Sequence, residues 1–440
     1  MASKLRDLDS LELIDPRSYA EKGYPHDLWT RLRRESPVSR IELPGYHPFW
    51  AITKHADICE ISKQPARFLN QGAGIVNFPG DWGLAVAAYQ VLREVGGVFR
   101  SSQEGSVHRS NMIVNLIDMD PPEHHLCRKV ASPRFKSGVL REFDTEIAES
   151  ARRLIDDLIQ DGCEGKCDFV TQVAARHPLH IIARILGLPP EDEPFILKFS
   201  NQWFGKDDPE FFRSEDRQAH HKAIIADFLS FISEIIADRR ARPLDDLASV
   251  IANAQIDGKP MADPEIIGYF LTLFTAGHET TRNAISGGLL ALMEHADELK
   301  RLQKDPQLVP RAVEEMVRWT SPVNYMARLA AEDCEVRGQK IRRGDRLVLF
   351  YASANRDEDV FEDPFAFRID RHPNPHLGFG FGEHFCLGAE LASKTSAALF
   401  AELIPRLESV ELAGQPERLA SSFVAGLKHL PIQYRIAPAP

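Results

Sequence analysis

The chain has 440 residues, 43% of them hydrophobic and 9% aromatic, enough to bury a large core and enclose a bulky ligand. Its 53 Lys and Arg against 64 Asp and Glu give a net charge of -11 with no long block of one sign, which argues against a nucleic-acid partner. No run of about 18 apolar residues occurs, and Lys4, Arg6, Asp7, Asp9 and Glu12 occupy the place of an apolar signal core, so no membrane span and a cytoplasmic location are expected.

Length alone would allow two or three domains. No repeat, low-complexity stretch or linker divides the sequence, so we expect one domain over 1–440, with 1–15 a flexible leading segment. The six cysteines, at 59, 127, 163, 167, 334 and 386, are few for the length; Cys163 and Cys167 have no second pair to complete a zinc site, and disulfides are not expected.

In chain order, Phe49 to Thr53 reads as a strand. Gly72-Ala-Gly74 lacks a third spaced glycine, a preceding strand and a following helix, and is not read as a dinucleotide loop. Asp120-Pro121-Pro122-Glu123-His124 opens a helix on which His124 and Arg128, four apart, share a face. Helix-period apolar patterns dominate from about Asp144 to Lys304. The longest helix is expected from Asp263, as cap, and Pro264 through Ile266, Phe270, Phe274, Ile285 and Leu290 to about His295, spanning roughly 45 Å. Apolar on most faces, it must cross the molecular centre, yet it carries Ala276-Gly277-His278-Glu279-Thr280-Thr281 midway. Cys334 to Val336, Arg346 to Tyr351 and Leu430 to Ile436 read as further strands. The fold class is therefore mainly helical with small sheets.

Two segments carry chemistry. In the first, Gly378-Phe379-Gly380-Phe381-Gly382-Glu383-His384-Phe385-Cys386-Leu387-Gly388 precedes a helix from Ala389 to about Leu403. Glycines let the backbone approach a flat ligand and aim amides at the sulfur, and a helix N-terminus favours thiolate over thiol. Such a thiolate can ligate iron and push electron density onto it. In the second, two threonines and a glycine inside a buried helix cost helix propensity. Thr280 can satisfy itself on the Ala276 carbonyl four residues back, which opens the helix beside Gly277. A hydroxyl backed by a carboxylate can also relay protons.

Phe379-x-x-Gly382-x-x-x-Cys386-x-Gly388 closely resembles the haem-binding loop of the cytochrome P450 family. The mid-helix segment resembles that family's oxygen-binding stretch, and Glu315-Met-Val-Arg318 its Glu-x-x-Arg motif, with Arg371 as third member of that network. Matching segments run from Phe49-Trp-Ala-Ile-Thr to Gly426-Leu-Lys-His-Leu-Pro. The resemblance implies a single-domain cytochrome P450 fold, with haem b between the long helix and the cysteine loop. Cys386 would be the iron ligand, Thr280 and Glu279 the proton-handling pair, and Ala276 and Gly277 the walls of the oxygen groove. Phe379, Gly380 and Gly388 would lie against the haem, with His124, Arg128, Arg328 and His384 at its propionates. Glu383, and His125 with Leu126, depart from the family's commoner residues.

By resemblance the activity is hydroxylation of an unactivated C–H bond of a hydrophobic small molecule, of steroid, terpenoid or branched-lipid type. Specificity would come from about Val76 to Val98, from Thr272 and Leu273, from Val323 to Met326, and from Phe423 and Val424. Electrons would come from a ferredoxin and its reductase, docking on a basic patch of Arg128, Lys129, Arg134 and Lys136; a solvated helix face explains that patch as well. A peroxide-driven peroxygenase and a haem carrier or sensor without turnover are the rival readings, and an acid-alcohol pair at Glu279 and Thr280 counts against both.

Overall fold

A computed structural model of the chain describes residues 10–73, 113, 115–159, 162–212 and 216–439. The helices that build the site are α1 (Glu123–Ala131), α2 (Asp144–Asp157), α3 (Arg176–Leu186), α4 (Glu193–Phe204), α5 (Arg217–Ala241), α6 (Asp263–Ala276), α7 (Glu279–Glu294), α8 (Val309–Thr320) and α9 (Ala389–Arg406). The segment Val76 to Val98, expected to contribute to specificity, lies outside the described residues, as do 1–9. Of the rest of the leading segment, Leu13 and Ile14 are buried in a core cluster with Trp29 and Phe49, which corrects the expectation of flexibility there.

The expected long central helix is two helices. α6 starts one residue earlier in register than the sequence suggests: Ala262 is the cap, Asp263 and Pro264 are helical, and the Glu265 carboxylate takes the Ala262 amide at 3.2 Å. It ends at Ala276, and α7 begins at Glu279 after Gly277 and His278, whose φ of -128° leaves helical geometry. The apolar period runs on through the break because each half is buried in a separate cluster. Ile266, Phe270 and Phe274 pack with α3, α4 and α5, whereas Ile285, Leu289 and Leu292 pack with α8 and α9.

Five strands form the larger sheet: β1 (Val38–Ile41), β2 (Phe49–Ile52), β3 (Phe68–Leu69), β4 (Tyr325–Ala330) and β5 (Arg346–Phe350), in the order β1-β2-β5-β4-β3. β5 runs parallel to β2 and antiparallel to β4, pairing Leu347 with both Trp50 and Arg328. Arg328 is thereby held on a rigid strand. A second sheet pairs Pro431–Ile436 with Leu407–Leu412 and Glu164–Asp168, and a hairpin joins Glu417–Arg418 to Leu427–His429. Cys334–Val336 forms a hairpin with Gln339–Ile341, as a strand there was expected. Among the described residues no helix is long and apolar enough to cross a membrane.

Candidate active site

The cysteine loop enters α9 as expected. Its amide geometry is set locally: the Cys386 N–H donates to the Phe379 carbonyl at 2.9 Å, and Phe385 N–H to the Gly382 carbonyl at 3.0 Å. Gly382 has φ +78°, and a β-carbon there would stand 2.4 Å from the Ser62 carbonyl oxygen, so both the backbone and the space demand glycine. Phe379 packs edge-on to Phe385, with ring centroids 6.3 Å apart.

Cys386 is accessible from the open side of the loop, yet the protein around it is dense. Desolvation raises its thiol pKa, against the lowering effects of the Gly388 amide and Arg128. Loop, amide and guanidinium do not outweigh burial, and a metal cation at the sulfur would reverse the balance.

Above the loop, α1 brings His124 and Arg128 to one face, and β4 brings Arg328. The His124 and His384 rings stack with centroids 3.9 Å apart. Burial lowers the pKa of His124 to about 4, helped by Arg128, and that of His384 to about 3, helped by His124 and Arg328. Both ring nitrogens of His124 and Nε2 of His384 are buried without a hydrogen bond. Arg128 donates to the Phe385 carbonyl at 2.6 Å, and Arg328 to its neighbour Ala327 at 2.8 Å. None of the four bonds a carboxylate among the described residues. Clustered basic groups with unspent donors suit an anionic ligand, with the Glu383 carboxylate within 4.8 Å of a His124 ring nitrogen.

The two departures from the expected pattern answer each other. The Glu383 carboxylate of the loop lies 3.2 Å from Nε2 of His125 on α1, a contact between the loop and the helix that carries His124.

On the central helix, Thr280 Oγ1 donates to the Ala276 carbonyl at 3.2 Å, the back-bond the spacing implies. Ala276 is exposed although it sits mid-molecule, so this stretch faces an open space. A β-carbon on Gly277 would lie 2.4 Å from the Leu273 carbonyl oxygen and 2.8 Å from Ile182 of α3, so its small size serves close packing. Glu279 is fully buried and paired with Arg282 of its own helix, not with Thr280. Its pKa is raised, desolvation outweighing Arg282. Arg282 in turn donates to Asn201 on α4 at 2.8 Å. Sequence reasoning missed both partners. The signal for Arg282 was available, since an arginine three residues after a buried acid in an apolar helix needs a counter-charge; Asn201 carried none.

The Glu-x-x-Arg network assembles in full. Arg318 holds Glu315 through two bonds of 2.7 Å, and Arg371 Nε joins Glu315 at 3.1 Å, all three buried. Both guanidiniums also bind backbone carbonyls of 355–366, tying α8 to the segment before the cysteine loop.

The residues expected to set specificity do not act alike. Val323 bridges Val424, and Thr272 is half-buried, but Tyr325 packs into the core against Phe350 and Phe423. In the basic patch, Arg134 is paired with Asp245, Arg128 bonds the Phe385 carbonyl, and Lys129 and Lys136 are exposed.

A haem-thiolate fold is the class these features define. The cytochrome P450 family model matches residues 86–435, and the chain belongs to that family. It is 39% identical to "Cytochrome P450-terp" of a Pseudomonas species, over 96% of each chain. It is 36% identical to linalool 8-monooxygenase of Pseudomonas putida, over 95% of this chain and 97% of that one. Among solved structures it is similar to CYP108D1 of Novosphingobium aromaticivorans, with TM-score 0.83 and 37% identity over 98% of this chain and 99% of the other. The protein is a cytochrome P450 monooxygenase whose cofactor is haem, iron protoporphyrin IX. The orphaned donors of His124 and His384, and the accessible sulfur in a glycine-dense cradle, fit that group.

Proposed function

We propose that this enzyme hydroxylates an unactivated C–H bond of a terpenoid-type hydrophobic molecule, taking electrons from a ferredoxin and its reductase in the cytoplasm. The overall change is R–H + O₂ + 2 e⁻ + 2 H⁺ → R–OH + H₂O. The observation that carries the reading is the exposed Ala276 face, with Thr280 beside it, set within a fold whose cysteine loop supplies a thiol. The terpenoid preference rests on the name of one relative, linalool 8-monooxygenase, linalool being a terpenoid alcohol.

Haem, when bound, supplies the iron at which dioxygen is reduced. Cys386 would be its ligand and electron donor, with the Gly388 amide favouring negative charge on the sulfur. Phe379, Gly380 and Gly388 would line it. His124, Arg128, Arg328 and His384 would hold its two carboxylates, whose charge would raise the depressed pKa of both histidines. The Thr280 hydroxyl, whose resting acceptor is the Ala276 carbonyl, would hand on protons. Glu279 would be the acid that resupplies it, its carboxylate resting on Arg282. Leu273, one turn before Ala276, is apolar and buried, which keeps bulk water out.

Titrating the ferric holoenzyme with linalool, a sterol and a methyl-branched fatty acid tests the substrate class through the haem spin-state shift that follows water displacement. Linalool is expected to shift it most. No response to any of them would overturn the class. Turnover of a responding compound with ¹⁸O₂ and a ferredoxin system should place one labelled atom in product. Activity with peroxide but not with O₂ would favour a peroxygenase, and haem binding without either activity a carrier.

A further inference from the structure

Glu383 and His125 depart from the family's commoner residues, and the fold brings them to one place. His125 Nε2 on α1 stands 3.2 Å from Glu383 Oε2 in the cysteine loop. The contact is not aligned as a hydrogen bond: Glu383 Oε2 is a buried atom with no hydrogen-bond partner among the described residues, as are both ring nitrogens of His124. His124 itself is 0% exposed. One ligand atom from each of His124, His125 and Glu383 lies within 4.8 Å of the other two. Adjacent positions on a helix point apart. Here the two rings, with centroids 5.8 Å apart and planes at 51°, both reach one carboxylate.

Two imidazoles and a carboxylate are a zinc ligand set. Zinc binds these groups at about 2.0–2.2 Å in tetrahedral geometry, which puts its ligand atoms about 3.4 Å from one another. His125 and Glu383 already have that spacing, and the His124 nitrogen is at most about 1.4 Å beyond it. The side chains of His125 and Glu383 are 49% and 33% exposed, so an ion has a path from solvent and a fourth position for water. His124 has two unpartnered nitrogens, so one can face a haem carboxylate while the other binds metal. Arg128 is the cation that faces His124; its guanidinium is turned to the Phe385 carbonyl, and the cofactor's two carboxylates would offset its charge. A second group of similar composition, Glu210, Glu417 and His429, has its cation in place. The Lys428 ammonium stands 3.0 Å from Glu210 and 3.8 Å from Glu417, and the His429 nitrogens meet Asp168 and Glu210.

We propose that His124, His125 and Glu383 form a second metal site, separate from the iron at Cys386, which takes Zn²⁺ and clips the cysteine loop to α1. Zinc has no redox chemistry, so the ion's role is structural. Its bonds run from His124 and His125 on α1 to Glu383, three residues before the iron ligand. α1 and the loop both border the haem site. An ion that binds only while the two are together disfavours their separation by mass action, and with it the release of haem.

Ferric holoenzyme freed of loosely held metal by a chelator and titrated with zinc chloride should bind one Zn²⁺ per chain, read by calorimetry and elemental analysis. X-ray absorption at the zinc edge should show nitrogen and oxygen ligands and no sulfur. Absence of stoichiometric binding, or a sulfur ligand, overturns the proposal. Glu383→Gln and His125→Phe, each chosen as a variant that keeps the carbon monoxide band, should weaken zinc binding at least about tenfold, a loss that even an outer partner of a metal ligand can cause. His429→Phe should bind zinc as the parent does; loss there with full binding in His125→Phe would move the ion to the C-terminal hairpin and overturn the site. The clip has its own readout, the rate of haem transfer to excess apomyoglobin. Free zinc at about ten times its dissociation constant should slow transfer about tenfold in the parent and leave Glu383→Gln unchanged. Equal rates with and without zinc in the parent overturn the clip.

Discussion

Cys386 illustrates how far one residue's chemistry depends on its surroundings. Its loop motif was legible because close backbone approach to a flat ligand admits few residue types, and glycine at 382 is needed for both φ and space. The burial that raises its pKa was not, because desolvation is a property of everything packed around the sulfur. Cys386→Ser should abolish the carbon monoxide difference band of the reduced haem protein while haem still binds; an unchanged band would mean another residue holds the iron. Gly277 teaches the complementary lesson. Its place in the motif suggested a groove, whereas its neighbours assign it to packing against Ile182. Gly277→Ala should destabilise by about 1–3 kcal/mol through overpacking, measured as a lower denaturant midpoint.

At the scale of elements, the sequence period reads α6 and α7 as one helix because both halves are apolar on the faces they bury. The break carries the Thr280 back-bond to the Ala276 carbonyl that the spacing implies, and another element adds two contacts there: Ser200 donates to the Phe274 carbonyl, and Asn201 accepts from Arg282. Neither contact has a sequence signature, since both join residues about eighty positions apart. The Glu315, Arg318 and Arg371 network was legible, because a carboxylate and guanidinium three apart on an apolar helix face must be paired wherever that face is buried. Glu315→Gln would leave two buried guanidiniums without their counter-charge and should cost about 3–5 kcal/mol, read by equilibrium unfolding of the holoenzyme. A loss below 1 kcal/mol would show the site relaxing to admit water. Lys129→Glu with Lys136→Glu should weaken reduction by ferredoxin at low salt, as expected for steering by exposed charge. Equal reduction rates would leave these lysines as a solvated helix face.

Over the whole molecule, buried histidines tie stability to pH. Burial lowers His26 and His278 to about 3 and His177 to about 4, although His177 bonds Ser150 and the Thr395 carbonyl. In the unfolded chain each titrates near 6.5. The unfolded state therefore binds more protons below that pH, and the stability these groups contribute is complete above about 6.5 and lost as pH falls toward 4 and 3. Each steepens the decline by up to about 1.4 kcal/mol per pH unit. His180, raised by Glu193 and Glu146, acts in the opposite sense, its contribution present below 6.5 and lost as pH rises through its folded value. Denaturant midpoints should fall clearly from pH 7 to pH 5; equal midpoints would mean the buried histidines keep access to water.

The sequence by itself determined the family, the cysteine loop, the helical class and the shared helix face of His124 and Arg128, because each is written in short spacings that local backbone geometry converts directly into position. Tertiary structure alone decided that Glu279 turns to Arg282, that Gly277 serves α3, that His125 and Glu383 compensate each other, and that Tyr325 belongs to the core. Those outcomes depend on which side chain arrives opposite another across the fold. Burial and long-range pairing decide that, and local pattern does not encode it.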